Sequence, residues 1–305
     1  MRDIAPRTLF VTAILFYCFF SVCAGCTPTA EKIDHGLVLA TVRPYALIAT
    51  EIAAPRLRVE TLLPPQSSPY TWSPRPEELE RAAKAGLIIA NGLGLEARLG
   101  SFLDRFVART LYVASLLGFE EDFRRDNNLT YDIALSARPP VAARDPHFWT
   151  DPLLMIHFAD VLAEHFSALD PEGAAVYAAN YERFANRIAA LDRRIREQAG
   201  MYRRRSLITF HDAFMRFFDR YGIERIASAM PAAERFTELG GLIRVHRIPA
   251  LYSEPRLDPG SVHILAAEYD LPVYMLDSLG THESVTDYAS FLLFNWEQFQ
   301  KGFVR

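Results

Sequence analysis

The side chains able to do chemistry gather at a few points of the chain. Arg144-Asp145-Pro146-His147-Phe148-Trp149-Thr150-Asp151-Pro152 sets one imidazole in a proline-bounded loop just ahead of a helix. Asp151 is a good N-cap and Pro152 fits the first helical position, so His147 is held in place. Asp145 and Asp151, on either side, can orient an imidazole or neutralise a bound cation. On this stretch alone, a surface histidine beside a helix cap fits equally well. His211 follows the apolar run 206–210, Asp277 follows the run 273–276, and Tyr70 lies in the proline-rich segment 64–76.

Elements must position these groups. Apolar runs at 37–42, 57–63, 87–90 and 111–114 alternate with helical patterns at 44–53 and 76–85, the mark of a parallel sheet covered on both faces. Residues 119–144 are charged and irregular and read as a surface connection; the sequon Asn128-Leu129-Thr130 within it reads as chance. From Asp170 to about Gly200, Tyr177, Tyr181, Phe184, Ile188, Leu191 and Ile195 form one apolar stripe, which predicts a single helix roughly 45 Å long. Asp170 is expected to cap its start, and Arg193, Arg194 and Arg196 to favour the dipole at its end. Strand and helix patterns then alternate again: strands at 206–210, 223–227, 250–253 and 273–276, helices at 213–221, 236–246, 258–269 and 286–301.

The expected fold is α/β: two parallel-sheet (β/α) lobes, residues 36–169 and 202–305, joined by one long rigid helix over 170–201, with the site in the cleft between them. In open α/β sheets the carboxyl ends of strands line the ligand crevice. His211 and Asp277 therefore face one crevice of the second lobe, and His147 and Tyr70 come from loops of the first.

Composition narrows the classes. With 305 residues, 50% of them apolar, there is material for one large or two moderate domains. A net charge of −4 with mixed signs offers no field for nucleic acid. Arg2 and Arg7 precede an uncharged apolar run over 9–22, too short for a membrane span of ~20 residues, and Cys23-Ala24-Gly25-Cys26 follows. The small residues before Cys26 resemble a bacterial lipobox, which predicts a signal peptide over 1–25, a lipidated Cys26 anchoring the chain to a membrane, and a polar tether over 26–35. Cys23 stands where such boxes carry Leu, which leaves simple cleavage or an uncleaved anchor open. If Cys26 begins the mature chain, that chain keeps one cysteine and has no intramolecular disulfide.

At this point the chain resembles the cluster A-I solute-binding proteins of ABC importers for zinc and manganese, the TroA/ZnuA-like family, over about residues 37–303. Asp-Pro-His-Phe-Trp-Thr-Asp-Pro at 145–152 is similar to that family's Asp-Pro-His-x-Trp-Leu-Asp-Pro. Phe210-His211-Asp212-Ala213-Phe214, Asn91-Gly92-Leu93-Gly94-Leu95-Glu96 and Leu276-Asp277-Ser278-Leu279-Gly280 match three more of its motifs. The resemblance implies that His147, His211 and Asp277 bind a metal between two lobes bridged by a rigid helix. It also implies an exported monomer, periplasmic or at the cell surface, that passes its cargo to a membrane permease and is not an enzyme.

The family's fourth ligand is a histidine, and here Tyr70 replaces it. Three outcomes are open: Tyr70 ligates through a phenolic oxygen whose proton the metal displaces, water fills the position, or the metal is weakly bound or different. The connection at 119–144 also lacks the His-rich acidic insertion of many zinc importers. Two imidazoles and a carboxylate suit Zn2+, with Mn2+ or Fe2+ as alternatives, and histidine rather than a carboxylate at 211 favours zinc.

His157, His165, His246 and His263 read as helix-surface residues, His282, five residues beyond Asp277, as an extra or substitute ligand at most, and Glu234 and Glu254 as structural or partner-facing. Two other function classes compete with metal capture. Three protein ligands with an open position also suit a zinc hydrolase, although no His-Glu-x-x-His accompanies them. A surface adhesin with weak or lost metal binding is the other.

Overall fold

The computed structural model describes residues 33–119, 145–228, 235–254 and 259–305. The signal peptide, Cys26, most of the tether, the connection 120–144 with its sequon, Glu234 and the Asp258 helix start lie outside the described residues. Two four-stranded sheets, all pairings parallel, carry the fold. The first has the order β2-β1-β3-β4, from β1 (Asp34–Ala40), β2 (Arg58–Thr61), β3 (Ala85–Ala90) and β4 (Thr110–Tyr112). The second has the order β6-β5-β7-β8, from β5 (Ser206–Thr209), β6 (Glu224–Ser228), β7 (Leu251–Ser253) and β8 (Val273–Met275). The inner strands β1, β3, β5 and β7 supply the buried apolar runs that a sheet covered on both faces requires, while the edge strands β2, β4, β6 and β8 are only partly buried.

Helices α1 (Arg43–Ala53) and α2 (Pro76–Lys84) belong to the first sheet, and α3 (Pro152–Leu169) follows the His147 loop. Asp151 caps α3 as expected, accepting from the amides of Leu153 at 2.8 Å and Leu154 at 3.4 Å. The second sheet carries α5 (Met215–Tyr221), α6 (Phe236–His246), α7 (Pro259–Glu268) and α8 (Tyr288–Lys301). Residues 111–114 do not form one strand: the chain leaves the sheet at Tyr112 and turns into a helical segment, Val113–Leu116.

The long helix is α4 (Ala174–Gly200), 27 residues or about 40 Å at 1.5 Å per residue. Tyr177, Phe184, Ile188, Leu191 and Ile195 are its buried stripe, each stabilising by about 1.5–3 kcal/mol. Asp170 does not cap it. A short 3-10 turn (Pro171–Gly173) intervenes, and the Asp170 carboxylate instead accepts from the guanidinium of Arg56 and from the Tyr177 hydroxyl at 2.6 Å. The arginines near the other end also act differently from expectation. None falls in the last turn; Arg196 pairs with Asp192 at 3.5 Å, while Arg205, beyond the helix, donates to the Ala199 carbonyl.

Along its length α4 is bonded to both halves of the fold. Asn180 donates to the carbonyls of Ile52 and Ala54 at the end of α1, at 2.8 and 2.7 Å. Arg187 pairs with Glu51 on α1 and with Asp287 at the start of α8. Asp192 accepts from Arg220 at 2.6 and 2.8 Å and from the Tyr221 hydroxyl at 2.8 Å, both on α5. One apolar core runs from Val38 and Ile89 of the first sheet through Phe158 and Phe184 to Leu207 and Tyr252 of the second.

Candidate metal centre

The site is assembled from the ends of strands and from two loops that the fold pins down. His147 stands before a single 3-10 turn (Phe148–Thr150) that leads into α3, with Phe148 and Trp149 fully buried beneath it. Asp145 fixes its direction twice: one carboxylate oxygen takes the His147 amide at 3.0 Å and ring Nδ1 at 2.6 Å. His211 leaves the sheet just after β5, and its Nδ1 meets Glu254 Oε1 at 2.9 Å, where Glu254 directly follows β7. The other Glu254 oxygen accepts from the Ser278 hydroxyl. Each imidazole thus has a carboxylate on Nδ1. That places the Nδ1 proton toward the carboxylate and leaves Nε2 as the acceptor or ligand, the arrangement usual for metal-binding histidines.

Tyr70 completes the convergence. Turns closed by Ser67 N–H to Pro64 O (3.0 Å) and Trp72 N–H to Ser68 O (2.9 Å) shape its loop. Arg98 ties it down through the Tyr70 carbonyl (3.3 Å) and the Ser73 hydroxyl (3.2 Å). The Tyr70 hydroxyl lies 2.8 Å from His147 Nε2. The rings of His147 and His211 are 5.0 Å apart by centroid, and those of Tyr70 and His211 are 6.0 Å apart. Between them is a cavity of about 20 Å³, walled by Tyr70, His147, Trp149, His211, Glu254 and Ser278 among others. That volume holds one water or one small ion.

Asp277 is not among the residues that wall this cavity. Its carboxylate turns into its own loop, accepting from the amides of His282 at 2.7 Å and Leu279 at 3.3 Å and from the Thr281 hydroxyl at 3.4 Å. Among the described residues, no three His, Cys, Asp or Glu side chains converge closely enough to hold a metal by themselves. Three of the four expected residues are therefore together, and the fourth stands just outside, next to Ser278 in the chain. Glu254, read from sequence as structural or partner-facing, is the carboxylate at the cavity wall. Its signal was its position: it ends the run 250–253 as Asp277 ends 273–276, at the same edge of the sheet as His211.

The other histidines lie elsewhere. His157, His246 and His263 are exposed, and His165 bonds the Val161 carbonyl at 2.8 Å within its helix. His282 stacks on Phe294 at 4.5 Å and bonds Ser284, and its amide rather than its ring serves Asp277.

Electrostatics divide the two imidazoles. Burial pulls the His147 pKa below its ordinary value despite Asp145, so this ring is neutral at pH 7. Burial pulls His211 down as well, but the hydrogen bond and charge of Glu254 outweigh it, and the pKa stands above the ordinary value. Glu254 is correspondingly lowered: burial raises it, and its hydrogen bonds to His211 and Ser278, together with the charge of the two imidazoles, more than compensate. The halves of the fold meet around these groups. Trp149 Nε1 donates to the Ser278 carbonyl at 2.7 Å, the Tyr288 hydroxyl to the Trp149 carbonyl at 2.9 Å, and Arg216 of α5 to the Asp145 carbonyl at 2.7 Å. The Arg216 guanidinium also lies over the Phe148 ring at 4.6 Å.

Comparison with known proteins gives the same architecture. A family model described as ZnuA, zinc-uptake complex component A periplasmic, matches residues 38–302. The high-affinity zinc uptake system protein ZnuA of Haemophilus ducreyi is 26% identical over 276 residues, 84% of this chain and 89% of that one. The manganese ABC transporter substrate-binding lipoprotein PsaA of Streptococcus mitis is 22% identical, covering 95% of this chain and 98% of that one. The solved structure of the periplasmic zinc binding protein TroA from Treponema pallidum matches with a TM-score of 0.74 at 22% identity, over 88% of this chain and 99% of that chain.

Proposed function

Because the chain belongs to the ZnuA family of periplasmic zinc-uptake components, we propose that it captures a divalent cation outside the cytoplasmic membrane and delivers it to the permease of an ABC importer. Zn2+ is the proposed cargo, with Mn2+ the alternative, since zinc and manganese are what the names of its relatives carry. The observation that carries the reading is the pair of imidazoles, each held by a buried carboxylate and turned toward one ion-sized cavity.

His147 and His211 are the proposed nitrogen ligands and Tyr70 the proposed oxygen donor. To bind, a cation must displace the hydrogen bond between the Tyr70 hydroxyl and His147 Nε2, and the phenol either gives up its proton to the solvent or swings aside for water. Asp277 is the proposed fourth donor. It immediately precedes Ser278 and Leu279, which wall the cavity, and it reaches a cation there by releasing the amides of Leu279 and His282. Lipid attachment through Cys26 is proposed from the sequence alone, as is the monomeric state.

Isothermal titration of metal-stripped protein with Zn2+ and Mn2+ tests the reading. One ion per chain, lost in His147→Ala and His211→Ala, is expected. No heat with either ion would overturn it and favour a surface protein without cargo.

A further inference from the structure

A guanidinium of the second lobe reaches the residue that aims a ligand of the first. Arg216, on α5, stands among the buried rings of Phe214, Phe217 and Phe218, and only 10% of its side chain is exposed. A charge so placed needs compensation. Its compensation comes from the chain around His147: Arg216 donates to the Asp145 carbonyl at 2.7 Å, and its Nε faces Asp145 Oδ2 at 3.6 Å. The guanidinium carbon also lies 4.6 Å from the centre of the Phe148 ring and 5.1 Å from that of Phe119. Of the negative charges around Arg216, Asp145 acts most strongly, ahead of Asp151 and Asp219.

The two oxygens of Asp145 are engaged unequally. Oδ1 takes both the His147 amide and ring Nδ1, whereas Oδ2 is buried and has no hydrogen bond among the described residues. The charge of Arg216 is therefore what holds Oδ2 to its own side, and with it the plane of the carboxylate that keeps Oδ1 turned to the ring. Arg216 follows His211 by five residues in the same short segment. One piece of the second lobe thus carries its own imidazole and grips the residue that orients the other.

We infer that Arg216 is a positioning residue of the metal centre: through Asp145 it sets the His147 ring, so that the first-lobe ligand is aimed only while the second lobe is docked against it. The inference rests on the reading of His147 and His211 as metal ligands. It adds a route for release of the cation. Withdrawal of the segment 211–216 removes one imidazole and loosens the other in the same movement.

A double-mutant cycle on the whole chain tests it, with zinc affinity read by competition against a fluorescent chelator. Arg216→Gln and Asp145→Asn are each expected to weaken zinc binding by about tenfold or more. Combined, they are expected to bind zinc within about twofold of Asp145→Asn alone, because Arg216 then has nothing left to act through. Arg216→Lys keeps a positive charge beside Oδ2 and is expected to bind several-fold more tightly than Arg216→Gln. Metal-free protein supplies a second readout, the proton NMR signal of His147 Nδ1–H, identified by its absence in His147→Gln. That signal is expected far downfield in the native and Lys forms and lost to solvent exchange in Arg216→Gln. A zinc affinity in Arg216→Gln within about twofold of native, or losses that simply multiply in the double variant, overturns the inference and leaves metal capture standing. A native chain that binds no zinc overturns both.

Discussion

Replacing Glu254 by glutamine isolates the part of the site that the fold prepares in advance. Glu254 is 4% exposed and receives His211 Nδ1–H at 2.9 Å, with Ser278 on its other oxygen. The amide keeps the shape and loses the charge that makes His211 a stronger base and fixes its tautomer. Removing such a partner costs about 10- to 100-fold in metal affinity, or about 1.4–2.7 kcal/mol. A second effect has the opposite sign on the pH axis. Glu254 holds the His211 pKa above its ordinary value, so in the native protein protons begin to displace the metal at a correspondingly higher pH as the solution is acidified. In Glu254→Gln the imidazole loses its proton more readily, and the acid midpoint of the affinity's pH profile moves down. Competition against a fluorescent zinc chelator, run from about pH 5 to about pH 8.5, reads both quantities, and thermal unfolding confirms that the variant is folded. An unchanged affinity near pH 8 together with an unchanged acid midpoint would refute the idea that Glu254 acts through His211.

Other substitutions extend the test. Tyr70→His, which restores an imidazole beside His147, is expected to tighten zinc binding by about tenfold or more, and Tyr70→Phe to weaken it; equal affinities for native and Phe forms in the same competition assay would mean that water, not the phenol, completes the site. Asp277→Asn is expected to lower zinc affinity about tenfold, and an affinity within twofold of native would confine Asp277 to shaping its loop. Asp192→Ala strands Arg220 and the Tyr221 hydroxyl against α4 and should cost on the order of 3 kcal/mol in urea unfolding; a loss under about 1 kcal/mol would show that the network adds little. For metal-free protein, His147 has a lowered pKa, so its folded form resists protonation and stability falls as pH drops below the ordinary imidazole value near 6.5. In His147→Gln that fall should be shallower in the same unfolding experiment, and an identical slope would count against a buried neutral imidazole.

Much of this architecture is legible in the sequence because local chemistry and tertiary structure agree. The alternation of apolar runs with helical periodicity specifies covered parallel sheets, and the Tyr177-to-Ile195 stripe specifies the long helix. Asp151-Pro152 names a helix start that the fold keeps. Legibility fails where a side chain chooses between a local partner and a distant one. Asp170 has the right place for a cap, yet Arg56, 114 positions away, provides the stronger bidentate partner. Asp277 stands correctly at a strand end, but the amides of its own loop take its carboxylate first. Glu254 was underread because its partners, His211 and Ser278, are 43 and 24 positions away and no periodicity joins them. The cross-lobe bonds of Arg43, Arg216 and Trp149 are invisible for the same reason: they are made by the packing of two sheets, and each involves a backbone carbonyl that has no signature in sequence.

The central claim is that two carboxylate-held imidazoles from opposite lobes share one cation. Crystals of the protein grown with Zn2+, with diffraction measured on both sides of the zinc absorption edge, test it most directly. The account predicts one dominant anomalous peak about 2.0–2.1 Å from both His147 Nε2 and His211 Nε2. A zinc peak on the surface histidines, with none between those two rings, would contradict it.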